Sequence, residues 1–398
     1  MSILTVISLL IGLVLLVVGA EVLVRGASNL AAIVGLSPLI IGLTVVSYGT
    51  SAPELAVSVQ SQFLQEVDIA LGNVIGSNVF NVLMILGLSA VVIPLTVAQQ
   101  LVRLDVPIMI GVSGLMLLFA MDGTIGHSDG VILLLGSVVY TGFLVYQGRK
   151  DSQALAMNGE LPPGSALVKR TPAQILISVG LVLLGLVLLV VGAQFLVDGA
   201  VEVAQAMGVS ELIIGLTIVA AGTSMPELAT SVVASYRGEQ DIAVGNVVGS
   251  NIFNILTVMG ATATVGSVPV SAAALHFDLP VMVAVAIACF PIFWTGNRIS
   301  RWEGLLFVGY YLAYSAYLIL DAVGHDQIGL FSNVMLLFVI PLTVVTLITL
   351  VLQRPQRPRR VDLASPPCGE PGSAASLDRS GAGGPPHTPP QDPSDSAG

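Results

Sequence analysis

The sequence predicts an all-α membrane protein: two inverted-topology five-helix repeats plus an extra C-terminal transmembrane helix. Three observations carry that prediction. The 398 residues are 55% hydrophobic and only 10% charged; a soluble domain carries about 25% charged residues, so no water-facing surface can be assembled from this chain. The apolar residues fall into runs long enough to cross a bilayer. Two long blocks of sequence also recur at a fixed offset of 173 residues, from Gly42 to Gly215 and from Asp68 to Asp241.

A helix needs about 20 mainly apolar residues to span the hydrocarbon core. Such runs lie near 3–20, 36–59, 69–92, 106–121, 130–146, 175–197, 212–234, 242–265, 279–293, 304–320 and 334–352. The first is read as a membrane helix rather than a signal peptide, because no basic residue precedes it and Arg25 comes only after it. Spans four and nine look short, and span one has room to continue past Arg25. With the N-terminus outside and eleven alternating spans, all 14 basic residues fall on the cytoplasmic side. They include Arg25, Arg103, Arg149, Lys150, Lys169, Arg170, Arg237, Arg298, Arg301 and the arginines of the tail. The opposite side carries acids such as Glu66, Asp68, Asp122, Asp129, Asp198 and Glu202. This asymmetry obeys the positive-inside rule and predicts a multi-pass protein of the plasma (inner) membrane with its C-terminal tail in the cytoplasm.

The expected organisation is a first five-helix repeat over 1–148, a cytoplasmic linker over 149–171 and a second repeat over 172–321. An additional transmembrane helix follows over 322–352, and then a Pro/Ser/Gly-rich disordered tail over 353–398. An odd number of spans per repeat makes the second copy enter the membrane from the opposite face. Secondary transporters built this way place their site near mid-membrane, at the repeat interface. Net charge −10 excludes nucleic acid as a partner. Cys289 and Cys368 form no disulfide framework, and His127, His276, His325 and His387 form no ligand cluster. No cofactor and no enzymatic activity are expected; the lipid bilayer is a partner, and the oligomeric state is left open.

The chemistry concentrates in the repeated blocks. GLTVVSYGTSAPELAVSV from Gly42 answers GLTIVAAGTSMPELATSV from Gly215, and DIALGNVIGSNVFNVL from Asp68 answers DIAVGNVVGSNIFNIL from Asp241. Glu54 is the only charged residue between Gly26 and Gln65, and Glu227 the only one between Leu212 and Tyr236. An acid near the bilayer centre costs roughly 2.5–3.5 kcal/mol on insertion scales and persists where it has a function. Pro53 and Pro226 lack an N–H and clash with the carbonyls of Gly49 and Gly222, so each breaks its helix just before the glutamate. Thr50, Ser51, Thr223 and Ser224 add hydroxyls in the same turn. Carboxylates, hydroxyls and freed carbonyls make an all-oxygen shell suited to a hard cation such as Ca²⁺. Asn73, Ser77 and Asn81 lie four residues apart on one helix face, as do Asn246, Ser250 and Asn254. Beside them Gly72 and Gly76, like Gly245 and Gly249, admit a close helix neighbour. Asp68, Asp241, Asp105 and Asp278 read as acids at helix starts.

On these residues the chain resembles the cation/calcium exchanger superfamily, in particular its prokaryotic sodium/calcium antiporters. The GTSxPE and GNxxGSNxFN blocks carry the resemblance, which covers roughly residues 1–320. It implies that Glu54 and Glu227 are central carboxylates binding Ca²⁺ or Na⁺ in alternation, with Thr50 and Thr223 as calcium ligands. It also implies that Ser51, Ser224, Ser77 and Ser250, with backbone carbonyls near Ser47 and Ala220, serve flanking sodium sites, and that Asn81 and Asn254 face the middle. Members often carry an aspartate at one of those last two positions, whereas this chain has asparagine at both. Two formal negative charges then remain, so Na⁺ and H⁺ both stay open as the counter-ion. The expected function is antiport of Ca²⁺ for Na⁺ by alternating access, with Gly- and Ala-rich spans one and six sliding over the site. Exchange of Ca²⁺ for H⁺ is the alternative, and a cation channel a more distant one.

Overall fold

The computed structural model describes residues 3–157, 171–209, 220–294 and 296–323, with the isolated positions 214, 217, 218 and 344. Among these residues eight helices are long and apolar enough to cross a membrane, and a ninth span is a helix pair bent by 42°. In chain order they are α1 (Ile3–Val34), the bent pair α2a (Pro38–Thr50) and α2b (Ala52–Phe63), α3 (Val67–Val92), α4 (Leu101–Ala120) and α5 (His127–Lys150). The second half contributes α6 (Pro172–Ala206), α7a (Ala220–Gly222), α7b (Met225–Tyr236), α8 (Gln240–Val265), α9 (Ala274–Trp294) and α10 (Arg301–Val323). The expected spans one to ten each coincide with one of these elements, span seven only from Ala220 onward. The eleventh span apart from position 344, the tail and residues 158–170 of the linker lie outside the described residues; the helix that begins α5 runs on through the start of the linker to Met157.

Two spans are longer than the sequence reading, and the first takes up the extension that reading allowed. Helix α1 continues through Glu21 and Arg25 to Val34. Spans four and nine are full length, because the π-helical turns Leu101–Asp105 and Ala274–Asp278 extend them past Arg103 and His276. The polar residues that made these ends look like loops are absorbed by wide turns that keep the backbone hydrogen-bonded. A second pair of π-turns, Asn81–Leu86 and Asn254–Met259, interrupts α3 and α8 at repeat-related positions.

Helices α1 and α6 pack against each other in antiparallel fashion. A Cβ at Gly12 would lie 2.7 Å from the backbone nitrogen of Leu196, one at Gly19 would lie 2.9 Å from that of Leu189, and one at Gly26 2.9 Å from that of Val182. The other helix answers in kind: a Cβ at Gly185 would lie 2.6 Å from the nitrogen of Leu23 and one at Gly192 2.8 Å from that of Leu16. In lipid no hydrophobic force drives helices together, so such close backbone approach is what holds the pair. Gly245 and Gly249 likewise admit α2a, with Leu39 and Leu43 against them. The positions that correspond to Leu39 and Leu43 for Gly72 and Gly76, Leu212 and Leu216, lie outside the described residues.

Two short antiparallel strand pairs join the halves. Strand β1 (Leu95–Thr96) pairs with β4 (Arg298–Ile299), and β2 (Thr124–Ile125) with β3 (Val268–Pro269). Helix α4 runs from the β1 loop to the β2 loop, so the pairs sit at opposite ends of the molecule. At the β1–β4 end Glu21 is shared by Arg25, at 2.9 Å, and Arg237. There too, Arg301 donates to the carbonyl of Val92 at 3.3 Å and Gln240 accepts from the N–H of Thr96 at 2.7 Å. Asp122 and Asp129 lie at the β2–β3 end, where they accept from the backbone N–H groups of Thr124 and Gly126.

The glycine contact makes a direct prediction. Gly185→Ala forces a methyl against the α1 backbone and is expected to destabilise the protein by about 1–3 kcal/mol, the usual cost of overpacking. Gly180→Ala, on the exposed side of the same helix with no atom within 4 Å, is expected to be neutral. Thermal unfolding in detergent reads both; equal midpoints for the two variants would show that the α1–α6 contact is loose.

Candidate cation site

The site begins with two helix breaks. Ser51 (φ −86°, ψ 9°) separates α2a from α2b, and Ser224 (φ −90°, ψ 9°) stands at the repeat-related position before α7b. Both are in the sparsely populated bridge region that often marks functional residues. Pro53 and Pro226 are the second residues of the helices that follow, inside the first turn, where a missing N–H costs nothing. The carbonyls of Gly49 and Gly222 thereby lose their fourth-residue donor. Glu54 and Glu227 come next, in the first turn of α2b and α7b, where the helix dipole favours a carboxylate. Both are fully buried, as are Ser47, Thr50, Ser51 and Ser224.

Each half supplies donors to the other half's acid. Ser51 Oγ donates to Glu227 Oε1 at 2.8 Å, and Ser224 Oγ donates to Glu54 Oε1 at 2.9 Å. Thr50 Oγ1 donates to Asn246 Oδ1 at 3.1 Å, and Thr223 Oγ1 to Asn73 Oδ1 at 3.2 Å. Asn73 Nδ2 in turn donates to the Glu54 carbonyl at 3.2 Å and to Ser58 Oγ at 2.9 Å. Asn246 repeats this with the Glu227 carbonyl at 3.4 Å and Ser231 Oγ at 3.0 Å. Ser77 joins through a 3.1 Å bond with Ser224, whereas the buried hydroxyl of Ser250 has no partner among the described residues. The Ser47 carbonyl is engaged by the N–H of Ser51 at 3.0 Å, and Ala220 opens α7a.

The carboxylates are half satisfied. Among the described residues, Oε2 of Glu54 and Oε2 of Glu227 are buried and accept no hydrogen bond, and the same holds for Oδ1 of Asn81 and Oδ1 of Asn254. A buried oxygen without a donor carries a desolvation penalty of about 1–3 kcal/mol. Two acids at the helix breaks and two amides, Asn81 and Asn254, one turn beyond Ser77 and Ser250 on α3 and α8, each keep an unused acceptor, an oxygen-only set suited to a hard cation.

Two further pairs hold these side chains and escaped the sequence reading. Ser58 and Ser231 hold Asn73 and Asn246; they stand four residues after each glutamate, and their repetition at the common offset was the available signal. Asn78 and Asn251 sit inside the GSN motif but off the four-residue stripe, which hid them. Asp105 and Asp278 are not helix caps, since they lie where a π-turn meets the rest of α4 and α9. Asp105 accepts from Tyr140 at 3.0 Å and Asp278 from Tyr314 at 3.1 Å, so these carboxylates tie α4 to α5 and α9 to α10.

Comparison with known proteins identifies the family. The family profile described as sodium/calcium exchanger protein matches residues 4–147 and 177–320, one match in each half. A putative antiporter, CaxA of Alkalimonas amylolytica, is 40% identical over 78% of this chain and 98% of its own length. The sodium/calcium exchanger MaX1 of Methanosarcina acetivorans is 31% identical over 77% of this chain and 96% of its own. A solved structure of the sodium-calcium exchanger NCX_Mj superposes with a TM-score of 0.68 at 31% identity, covering 79% of this chain and 99% of that one. With both halves matched and these relatives covered almost end to end, the chain belongs to the sodium/calcium exchanger family of membrane antiporters and is a transporter, not an enzyme.

Proposed function

We propose that the chain exchanges Ca²⁺ for Na⁺ by alternating access, with Glu54 and Glu227 as the two carboxylates of one central site. The observation that carries this reading is the reciprocal pairing of the acids. Each glutamate is held through Oε1 by a serine of the other repeat and keeps Oε2 buried, with no partner among the described residues. In this reading both Oε2 atoms bind the transported ion, joined by oxygens of Thr50 and Thr223. Ser51, Ser224, Ser77 and Ser250, with the carbonyls of Ser47 and Ala220, serve Na⁺, while Asn81 and Asn254 turn their oxygens to the middle. Asn73 and Asn246 use both ends of their amides inside the protein and act mainly by bracing the two helix breaks.

The coupling follows from electrostatics. Two bare carboxylates cannot be sealed from water in a low-dielectric interior, whereas the same pair neutralised by one Ca²⁺ or by monovalent ions can be. The repeats over 1–148 and 172–321 then expose the filled site to one side or the other, with the α1–α6 pair as the moving element. The β1–β4 end, where Arg25, Arg237, Arg298 and Arg301 gather, is the cytoplasmic face. The N-terminus is accordingly outside and the protein resides in the plasma membrane. The Ca²⁺/H⁺ reading is favoured by one feature: among the described residues the site's titratable side chains are the two glutamates, so two protons replace one Ca²⁺ charge for charge.

In proteoliposomes an outward Na⁺ gradient is expected to drive Ca²⁺ uptake, and neither an imposed pH gradient nor the absence of gradients is expected to do so. Uptake driven by the pH gradient alone would replace Na⁺ by H⁺ as counter-ion, and uptake with no gradient would mark a channel. Glu54→Gln and Glu227→Gln each remove a charge without changing shape. Each is expected to lower Ca²⁺ uptake by about 100-fold or more, the scale of losing a charged ligand, while the thermal midpoint in detergent holds. Normal uptake in either variant would remove that glutamate from the site.

A further inference from the structure

Amide side chains bind ions only through their oxygen, and an asparagine flips its oxygen and nitrogen at little cost unless its surroundings decide. At Asn81 and Asn254 the surroundings do decide, and the residues responsible are Asn251 and Asn78. Asn81 Nδ2 donates to Asn251 Oδ1 at 3.0 Å, and Asn254 Nδ2 donates to Asn78 Oδ1 at 3.2 Å. The second pair is itself locked. Asn78 Nδ2 faces only acceptors, the carbonyl of Asn251 at 3.4 Å and the Met282 thioether at 3.6 Å. Asn251 Nδ2 faces the carbonyl of Asn78 at 3.3 Å and the Met109 thioether at 3.6 Å. Carbonyls and thioethers cannot donate, so the amides of Asn78 and Asn251 have one permitted orientation. Their oxygens must then meet the nitrogens of Asn254 and Asn81. All four residues are buried, between 0% and 3% exposed.

We infer that Asn78 and Asn251 are positioning residues whose role is to hold the amides of Asn254 and Asn81 oxygen-inward, so that the site shows a cation acceptors and never an N–H. The observation behind this is the pair of orphaned oxygens, Asn81 Oδ1 and Asn254 Oδ1, on the amide edges opposite the bonded nitrogens. The inference rests on the reading of the cluster as the cation site. It adds that cation affinity depends on two residues whose own polar atoms all face away from the ion. Removing Asn251 frees Asn81 to flip, and a flipped amide points a donor at the cation.

An aspartate has no orientation to choose, and this supplies the test. Initial rates of Ca²⁺ uptake into proteoliposomes, measured against external Ca²⁺, give KM and kcat for wild type, N251L, N81D and the double variant N81D/N251L. N251L is expected to raise KM about tenfold with kcat nearly kept, on the scale of one misdirected hydrogen-bonding group. In the N81D background the same change is expected to move KM by less than about twofold. An equal rise in both backgrounds would mean that Asn251 only packs, and would overturn the inference. Loss of uptake in N81D/N251L would do the same. If N251L does not fold, N251S, too short to reach Asn81, and the related set N78L, N254D and N78L/N254D repeat the cycle with the same criteria. The underlying reading fails separately, through normal KM in Glu54→Gln or Glu227→Gln.

Discussion

The structure turns on one reciprocal interaction: each buried glutamate receives its serine hydrogen bond from the opposite repeat. Glu54 depends on Ser224 and Glu227 on Ser51. A carboxylate in a membrane interior is expensive to keep, and here neither half satisfies its own. The halves therefore assemble around a shared polar centre, and the remaining features organise that centre. Pro53 and Pro226 stop the helices where the acids must be presented. Asn73 and Asn246 bind the carbonyls of those same glutamates, fixing the backbone on either side of each break.

The frame around the centre has the two-fold logic of an inverted repeat. The paired two-residue strands join loops of one half to loops of the other, and the repeat operation carries β1–β4 onto β3–β2. The π-turns at Asn81 and Asn254 occur at matching positions. The two-fold is broken in places, and the breaks are chemical. The ring of Phe253 packs on Tyr48 from α2a, at 4.2 Å between centroids, whereas the related Phe80 packs on Tyr311 from α10, at 5.1 Å. The aromatic partner thus comes from different helices in the two halves. Tyr48 also reaches Ser137 and Thr141 on α5, a tether that Ala221, its counterpart in α7a, cannot make. Similarly Glu21 joins Arg25 and Arg237 at one end of the molecule, whereas the repeat mates are Gln194, Asp198 and Leu64, which cannot form that pairing. Equivalent motions of the two halves thus work against different restraints.

Much of this was legible in the amino-acid order. The apolar runs located the spans, and the common offset paired Glu54 with Glu227 before any coordinates, because both signals follow from how lipid and symmetry constrain a chain. The length of α4 and α9 was not legible, since hydropathy counts Arg103 and His276 as breaks while a π-turn carries the backbone through them. Asp105 and Asp278 were misread for the same reason: position near a helix start suggests a cap, and only the packed neighbour reveals Tyr140 or Tyr314. Asn78 and Asn251 were missed because the four-residue stripe treats a helix as an isolated cylinder, whereas their partners come from the other repeat.

The claim at the centre is that two glutamates from different halves form one site. Equilibrium binding of radioactive Ca²⁺ to the purified protein tests it most directly. The account predicts one Ca²⁺ per chain in the wild type and none, at the same free Ca²⁺, in either Glu54→Gln or Glu227→Gln. One full Ca²⁺ retained by either single variant would show that the two carboxylates act independently and would contradict the shared site.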